Sequence, residues 1–290
     1  SYLGQLPNKM STAPEAEGGH RSGCDYNTHF DVKTYLNNYY VLENNPYLYR
    51  FLQMMHQLVG KYDTVERSVL EYRTAGSIPD GGRLLDVGSG PCIHSVISTG
   101  SRCSEIVCSD FVEQNRDEIL RWVNGAIDAH NWEPVFQYVC KLEGKSTKLF
   151  KTIAPFASNM PIRSGGPGSA PLVFEPFDVI TSSLCLEAAC LDEPSYRKAV
   201  KRLASLLKPG GLLIIGGVHG QSFYSVAKET FSSLPTSKQM IESVFADAGL
   251  GDFRWFVDDI EKGEYDKAIG DVFDAPADCT GIFAVSATKK

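Results

Sequence analysis

Asp86-Val-Gly-Ser-Gly-Pro91 restricts this chain to a small set of folds. The apolar run Arg83-Leu-Leu-Asp-Val87 predicts a short buried strand, and Gly88-Ser-Gly-Pro91 a tight turn at its carboxyl end. In open α/β sheets that end of a strand is where ligands bind. Gly88 and Gly90 carry no Cβ, so a ligand can lie against their backbone. The next apolar segment, Glu105-Ile-Val-Cys-Ser-Asp110, ends in an acid twenty residues after Gly90. That is the spacing at which a carboxylate reaches a ribose hydroxyl pair.

A dinucleotide fingerprint, G-x-G-x-x-G/A, needs a small residue where this chain has Ile93. Its branched side chain would crowd a pyrophosphate at the helix N-terminus, which opposes a nicotinamide-dinucleotide oxidoreductase. D-x-G-x-G followed by an acid-ended second strand resembles the class I S-adenosylmethionine-dependent methyltransferases, with Cys92 at that family's third small position. The resemblance implies a turn that cradles the amino acid end of the cofactor and an acid, Asp110, on its ribose. Phe177-Asp-Val-Ile-Thr-Ser-Ser-Leu184 and Leu206-Leu-Lys-Pro-Gly-Gly-Leu-Leu-Ile-Ile215 predict two further buried strands. The second follows a helix: Pro209 cannot continue that helix, and Gly210-Gly211 permits the reversal. The expected fold class is α/β, a doubly wound, mostly parallel seven-stranded sheet (class I methyltransferase, Rossmann-like) with an N-terminal helical lid.

Charge and cysteine usage narrow the partners. A net charge of −7 over 290 residues, with no basic stripe, opposes a nucleic-acid partner. No apolar run reaches the length of a membrane span, and no charged-then-apolar leader opens the chain. The eight cysteines form no C-x-x-C pair, so they read as reduced core thiols rather than metal ligands. The expectation is a cytoplasmic, monomeric enzyme with no metal, acting on a small molecule.

Residues 1–25, rich in Gly, Ser, Pro and polar residues, are expected to be disordered, and 26–290 to form one domain. Its helical lid spans 26–80 and its sheet core 82–290. In the lid, helices are predicted over Val32–Glu43 with Asp31 as N-cap, after Asn45-Pro46, and over Tyr62–Tyr72. Strands are predicted at Leu84–Val87, Ile106–Ser109, Val135–Cys140, Val179–Ser182 and Leu212–Ile215, with a final antiparallel pair at Phe253–Val257 and Gly281–Ala287. Helices are expected over Asn115–Asp128, Pro194–Leu207 and Lys238–Ala248, the last ending at Gly249. The 144–176 insertion, with Arg163-Ser-Gly-Gly-Pro-Gly-Ser-Ala-Pro171, is a loop on composition.

Three segments are more specific than the cofactor motif: Tyr138-Val-Cys-Lys-Leu-Glu-Gly144, Ser182-Ser-Leu-Cys-Leu-Glu-Ala-Ala-Cys190 and Phe231-Ser-Ser-Leu-Pro235. They are similar to segments of a small-amine family that includes nicotinamide, indolethylamine (thioether) and phenylethanolamine N-methyltransferases, and look closest to the nicotinamide branch. The likeness runs from about His29 to the C-terminus, interrupted by the insertion. It implies S-adenosylmethionine as cofactor and a small amine or pyridine as substrate. Tyr35 and Tyr40 match tyrosines over the cofactor, and Tyr39 one beside the substrate. Gly88, Ser89, Gly90, Asp110, Phe111, Asn115 and Ser183 match cofactor contacts. His94 stands where relatives carry a tyrosine, and Thr152-Ile153 where an Asp-Val pair brackets the adenine. Leu184, Tyr224 and Ser233 match the substrate wall.

The substrate pocket departs from the family pattern. The nicotinamide branch has an aspartate at the place of Gly217, and the phenylethanolamine branch a glutamate at the place of Gly220. His219 and Gln221 offer polar groups there instead, and Asp278, one of eight acids between Asp258 and Cys279, is a further candidate. No residue is assigned a catalytic role. With the pocket acids missing, the reading tilts towards a neutral heteroaromatic such as nicotinamide. An aliphatic arylalkylamine is the alternative, and a catalytically silent cofactor-binding relative the second one.

Overall fold

Leu84 and Leu85 are neighbours in the chain, both fully buried, on opposite faces of one sheet. The alternation is the period-two signature of a strand covered on both sides, and burying each such leucine is worth about 2 kcal/mol. Strand β1 (Gly82–Val87) carries this pair, and β4 (Leu207–His219) repeats it: Leu212 and Ile214 face one cluster, Leu213 and Ile215 the other. The computed structural model describes residues 20–22, 25–59, 78–144, 175–259 and 278–290.

With β2 (Cys103–Ser109), β3 (Phe177–Ser183), β7 (Leu250–Asp259) and β8 (Gly281–Lys289), these strands form one sheet in the order β2-β1-β3-β4-β8-β7. The first four run parallel, and β8 pairs antiparallel with both β4 and β7. The expected final antiparallel pair is therefore present. Strands β5 (Phe223–Val226) and β6 (Glu229–Ser232) form a separate antiparallel hairpin.

One face is covered by α3 (Pro46–Val59), α4 (His94–Gly100) and α6 (Glu133–Leu142). The other is covered by α8 (Glu193–Leu206) and α9 (Lys238–Asp247). Between β2 and α6 lies α5 (Glu113–Val123), and α7 (Leu186–Ala189) is a single turn after β3. Ahead of the sheet come α1 (Tyr26–His29) and α2 (Val32–Tyr39). Local signals set the ends: Asp31 accepts from the Thr34 N–H at 2.7 Å, and Asp192 with Ser195 closes a capping box on α8. Gly249, at φ +76°, follows α9.

Several expectations are corrected. Val135–Cys140 is helix α6, not a strand, so the sheet has six described strands rather than seven. Val135, Phe136, Val139 and Cys140 are all buried, at i, i+1, i+4 and i+5, which is a helical stripe, and Pro134 sits in the first turn, where it is tolerated. Helix α2 ends at Tyr39 rather than Glu43, and Leu42–Asn44 is a 3-10 turn. Helix α5 covers Glu113–Val123, not Asn115–Asp128. The Lys208–Gly211 turn forms an irregularity inside the start of β4, with Gly210 at φ +76°. Residues 20–22, expected in a disordered tail, are hydrogen-bonded to β6: the Arg21 N–H donates to the Thr230 carbonyl and the Ser232 N–H to the Arg21 carbonyl. The expected helix 62–72 and the middle of the 144–176 insertion lie outside the described residues. Among the described residues no helix is long and apolar enough to cross a membrane.

Candidate active site

The parallel strands end together, and the loops leaving them form one floor. The N–H groups of Gly88 and Ser89 donate to the Ser109 carbonyl at 2.8 and 3.0 Å, tying the turn after β1 to the end of β2. Beneath it the buried Asp86 carboxylate accepts from Ser95 and Thr181. Gly88 is required twice over. It has φ +68°, and a Cβ there would stand 1.9 Å from the Cys185 Sγ. Gly90 has φ +62°, and a Cβ there would make only an ordinary contact, 3.9 Å from the Cys92 Sγ.

Asp110 staples this floor. One oxygen accepts from the Gly90 N–H at 2.8 Å, and the other from the Val112 N–H at 2.8 Å and the Asn115 Nδ2 at 3.1 Å. Burial raises its carboxyl pKa, and these hydrogen bonds pull it back down. Three bonds leave part of its acceptor capacity open. Phe111, next in the chain, is 70% exposed, an apolar ring without a cover at the mouth of the floor.

The tyrosines close over the far side. The rings of Tyr35 and Tyr39 are 5.3 Å apart, and the hydroxyls of Tyr35 and Tyr40 lie 3.2 Å apart within hydrogen-bond reach. The Tyr39 hydroxyl donates to the Ser225 carbonyl at 2.6 Å, fixing α2 to the β5–β6 hairpin. His94 is wedged between Tyr40 and Phe51, at ring distances of 4.8 and 5.4 Å, with neither nitrogen hydrogen-bonded. Burial holds its pKa down to about 3, so the imidazole is neutral. Thr152 and Ile153 lie outside the described residues.

On the hairpin side, Leu184 adopts φ +54°, a left-handed conformation that costs a branched residue about 1 kcal/mol or more. Its N–H is held by the Gly216 carbonyl at 2.9 Å and its side chain is 37% exposed. Tyr224 stands over Phe231, with ring centroids 5.6 Å apart. Ser233 and Ser183 each have a buried hydroxyl without a hydrogen-bond partner. Two further candidates already have partners. His219 stacks on Phe283 at 4.4 Å, the ring that a Cβ on Gly217 would also meet, with Nδ1 3.4 Å from the Thr236 carbonyl. Asp278 spends its carboxylate on the N–H and hydroxyl of Ser222, at the entry to the hairpin.

A model described as the NNMT/PNMT/TEMT family matches residues 20–290. The chain belongs to that family. Nicotinamide N-methyltransferase from Homo sapiens is 32% identical over 254 residues, covering 83% of this chain and 89% of the relative. Indolethylamine N-methyltransferase from Oryctolagus cuniculus is also 32% identical, over 81% of this chain and 87% of the relative. Phenylethanolamine N-methyltransferase from Macaca mulatta is 28% identical, over 84% and 87%. Magnesium protoporphyrin IX methyltransferase from Synechocystis PCC 6803, solved with bound SAM, shares the fold with a TM-score of 0.51 at 11% identity, over 92% of this chain and 94% of that one. This chain is thus an N-methyltransferase that draws on S-adenosylmethionine. The spare capacity of Asp110 and the uncovered Phe111 ring suit a polar ligand with a flat heterocycle.

One residue of this N-methyltransferase had no assigned role in the sequence. Glu187, in α7, is 4% exposed, and its Oε1 has no hydrogen-bond partner. A Cβ on Gly217 would stand 2.8 Å from that oxygen. Glu187 therefore fills the space in which an acidic side chain at 217 would start. Burial pushes the Glu187 carboxyl up to about 7, against nearby backbone N–H groups that favour its charge. The Leu234 N–H donates to the Glu187 carbonyl at 2.7 Å, so the segment carrying Ser233 is fastened beside it. The available signal was an acid inside an otherwise apolar, small-residue run, Cys185-Leu-Glu-Ala-Ala-Cys190.

Proposed function

We propose that this enzyme methylates the ring nitrogen of a small pyridine bearing a carboxamide, nicotinamide being the reference compound. The observation that carries this reading is the pair of unsatisfied buried groups, Glu187 Oε1 and Ser233 Oγ, held on segments joined by the Leu234–Glu187 hydrogen bond. A carboxamide brings an NH2 donor for a carboxyl oxygen and a C=O acceptor for a hydroxyl, one partner for each group. An unpaired buried polar group costs about 1–3 kcal/mol, which a matching ligand recovers.

S-adenosylmethionine, when bound, supplies a methyl group activated on a sulfonium. In this reading Gly88, Ser89 and Gly90 leave room for its amino acid end, Asp110 and Asn115 hold its ribose, and Phe111 covers its adenine. Tyr35, Tyr40 and neutral His94 present aromatic faces to the positive sulfur. Ser183 would lie under the methionyl group. Tyr39, Leu184 and Tyr224 wall the substrate and keep water out, so the chain's work is alignment and desolvation. A pyridine nitrogen has a free lone pair and needs no base. Every group named comes from one chain, so the reading needs no partner subunit.

Glu187 also supports a second reading, an arylalkylamine substrate. A carboxyl with its pKa near 7 can pair with an ammonium and receive the proton that the nitrogen must lose before attack. The deciding experiment incubates the protein with methyl-labelled S-adenosylmethionine and single amines: nicotinamide and other pyridines, tryptamine, phenylethanolamine. Labelled product from nicotinamide and not from its analogue lacking the carboxamide is expected. Product only from the aliphatic amines overturns the first reading in favour of the second. No product with any amine, with cofactor binding confirmed in the same preparation, removes both and favours a silent cofactor-binding relative.

A further inference from the structure

The segment before the tyrosine helix is built into the hairpin rather than laid over it. The Tyr26 ring lies flat on Phe231, with centroids 4.9 Å apart and an interplanar angle of 3°, and its hydroxyl is hydrogen-bonded to the hydroxyl of Tyr224. On its other side Tyr26 meets Phe30 edge-on at 5.1 Å, and Phe30 meets Tyr35 at 4.8 Å. One phenol thus stands between the hairpin and the lid tyrosines. Upstream, the arm is pinned to the same hairpin. Arg21 exchanges backbone hydrogen bonds with Thr230 and Ser232, and its guanidinium pairs with Glu229. On the Gln114 side of the lid, that side chain donates to the Asn27 carbonyl at 3.0 Å.

The hairpin needs such support. It pairs with neither edge of the main sheet, and a lone two-stranded ribbon is marginal in water. The direction in which Tyr224 points therefore depends on what it packs against. Burial raises the Tyr224 pKa strongly, so its hydroxyl keeps its proton and needs a fixed partner. We infer that Tyr26 is a positioning residue that holds Tyr224, and with it the substrate wall, through the paired hydroxyls. This rests on the reading of Tyr224 as part of that wall.

The test is steady-state kinetics on the full chain with nicotinamide, or with tryptamine if that is the amine that gives product. Tyr26→Phe keeps the ring and its stacking and removes only the hydroxyl. It is expected to raise the amine KM by about fivefold to tenfold, while kcat and the cofactor Kd each change by less than about twofold. Tyr224→Phe is expected to do the same, and the double variant to be no worse than the worse single, because both remove one shared bond. A Tyr26→Phe KM within about twofold of the parent, or effects that multiply in the double variant, would overturn the inference. Tyr224→Ala separates the two layers. If it leaves the amine KM in place, the wall reading falls and the inference with it. If it raises KM while Tyr26→Phe does not, only the inference falls.

Discussion

The two halves of the proposed site are built in opposite ways. The cofactor half rests on two adjacent parallel strands, β1 and β2, whose end loops are tied to each other by the backbone of Gly88, Ser89 and Gly90 and by the Asp110 carboxylate. The amine half gathers pieces far apart in the chain: Tyr26 and Tyr39 from the lid, Leu184 and Glu187 after β3, Gly217 on β4, and Tyr224 and Ser233 around the hairpin. The first half is tied by backbone bonds between neighbouring strands of the main sheet, while the second depends on a hairpin outside that sheet. A cofactor common to many substrates suits the rigid half. Substrate choice belongs to the half that can change one segment at a time.

The contrast breaks most sharply at Asp110. If its carboxylate serves both as staple and as ribose contact, Asp110→Ala loses charge-assisted bonds of about 1.5–3 kcal/mol each. Cofactor affinity, measured by calorimetry with S-adenosylmethionine, is then expected to fall by about a hundredfold or more. An unaltered Kd would show that the strand-end acid is only a helix cap.

The same contrast explains what the sequence made legible. The meeting of the strand-end turn with Asp110 was readable because Asp86 to Pro91 and Asp110 form a local pattern whose spacing carries the geometry. The place of Glu187 was not, because it depends on Gly217, thirty residues away and on a different element. Asp278 and His219 looked available as polar residues in the right segments. Whether a neighbouring N–H or an aromatic face had already claimed them is decided by tertiary packing. Val135–Cys140 was misread because a short apolar, β-branched run fits both periods, and burial on one helical stripe decided it. The final antiparallel pair was legible, whereas the pairing of residues 20–22 with β6 was hidden by a polar composition.

Glu187 provides the next largest effect, and it tests the amine half alone. The folded protein holds this proton up to a pH of about 7, while the unfolded chain releases it near 4.5. Between those values the folded state binds more protons than the unfolded one, so this group makes stability fall as pH rises. The loss is complete above about pH 7 and amounts to at most about 3 kcal/mol. Glu187→Gln removes it. Urea unfolding of the cofactor-free protein is expected to show the variant gaining on the parent from pH 5 to pH 8. A flat difference would mean that the carboxyl is solvated and not part of a dry pocket. Substrate sharpens the result: an ammonium ligand draws the proton off Glu187, and a carboxamide need not, so proton release on binding separates the two substrate classes.

Tyr35 stands where the halves meet, and its hydroxyl gives the smallest effect and the finest cut. The phenol is within hydrogen-bond reach of Tyr40 at 3.2 Å, while its ring touches Phe30, Tyr39 and Tyr40. Tyr35→Phe keeps those ring contacts and removes one hydrogen bond between a half-buried and a buried phenol, a loss of about 1 kcal/mol. If the hydroxyl serves the cofactor half, S-adenosylmethionine binding weakens by about fivefold, and the amine KM measured at saturating cofactor moves by less than about twofold. If both constants shift together, α2 transmits between the halves through its hydroxyls as well as its rings, and the rigid floor and the assembled wall are one unit. If neither shifts, the tyrosine lid works by excluding water alone, and the cofactor is held entirely by the strand ends beneath it.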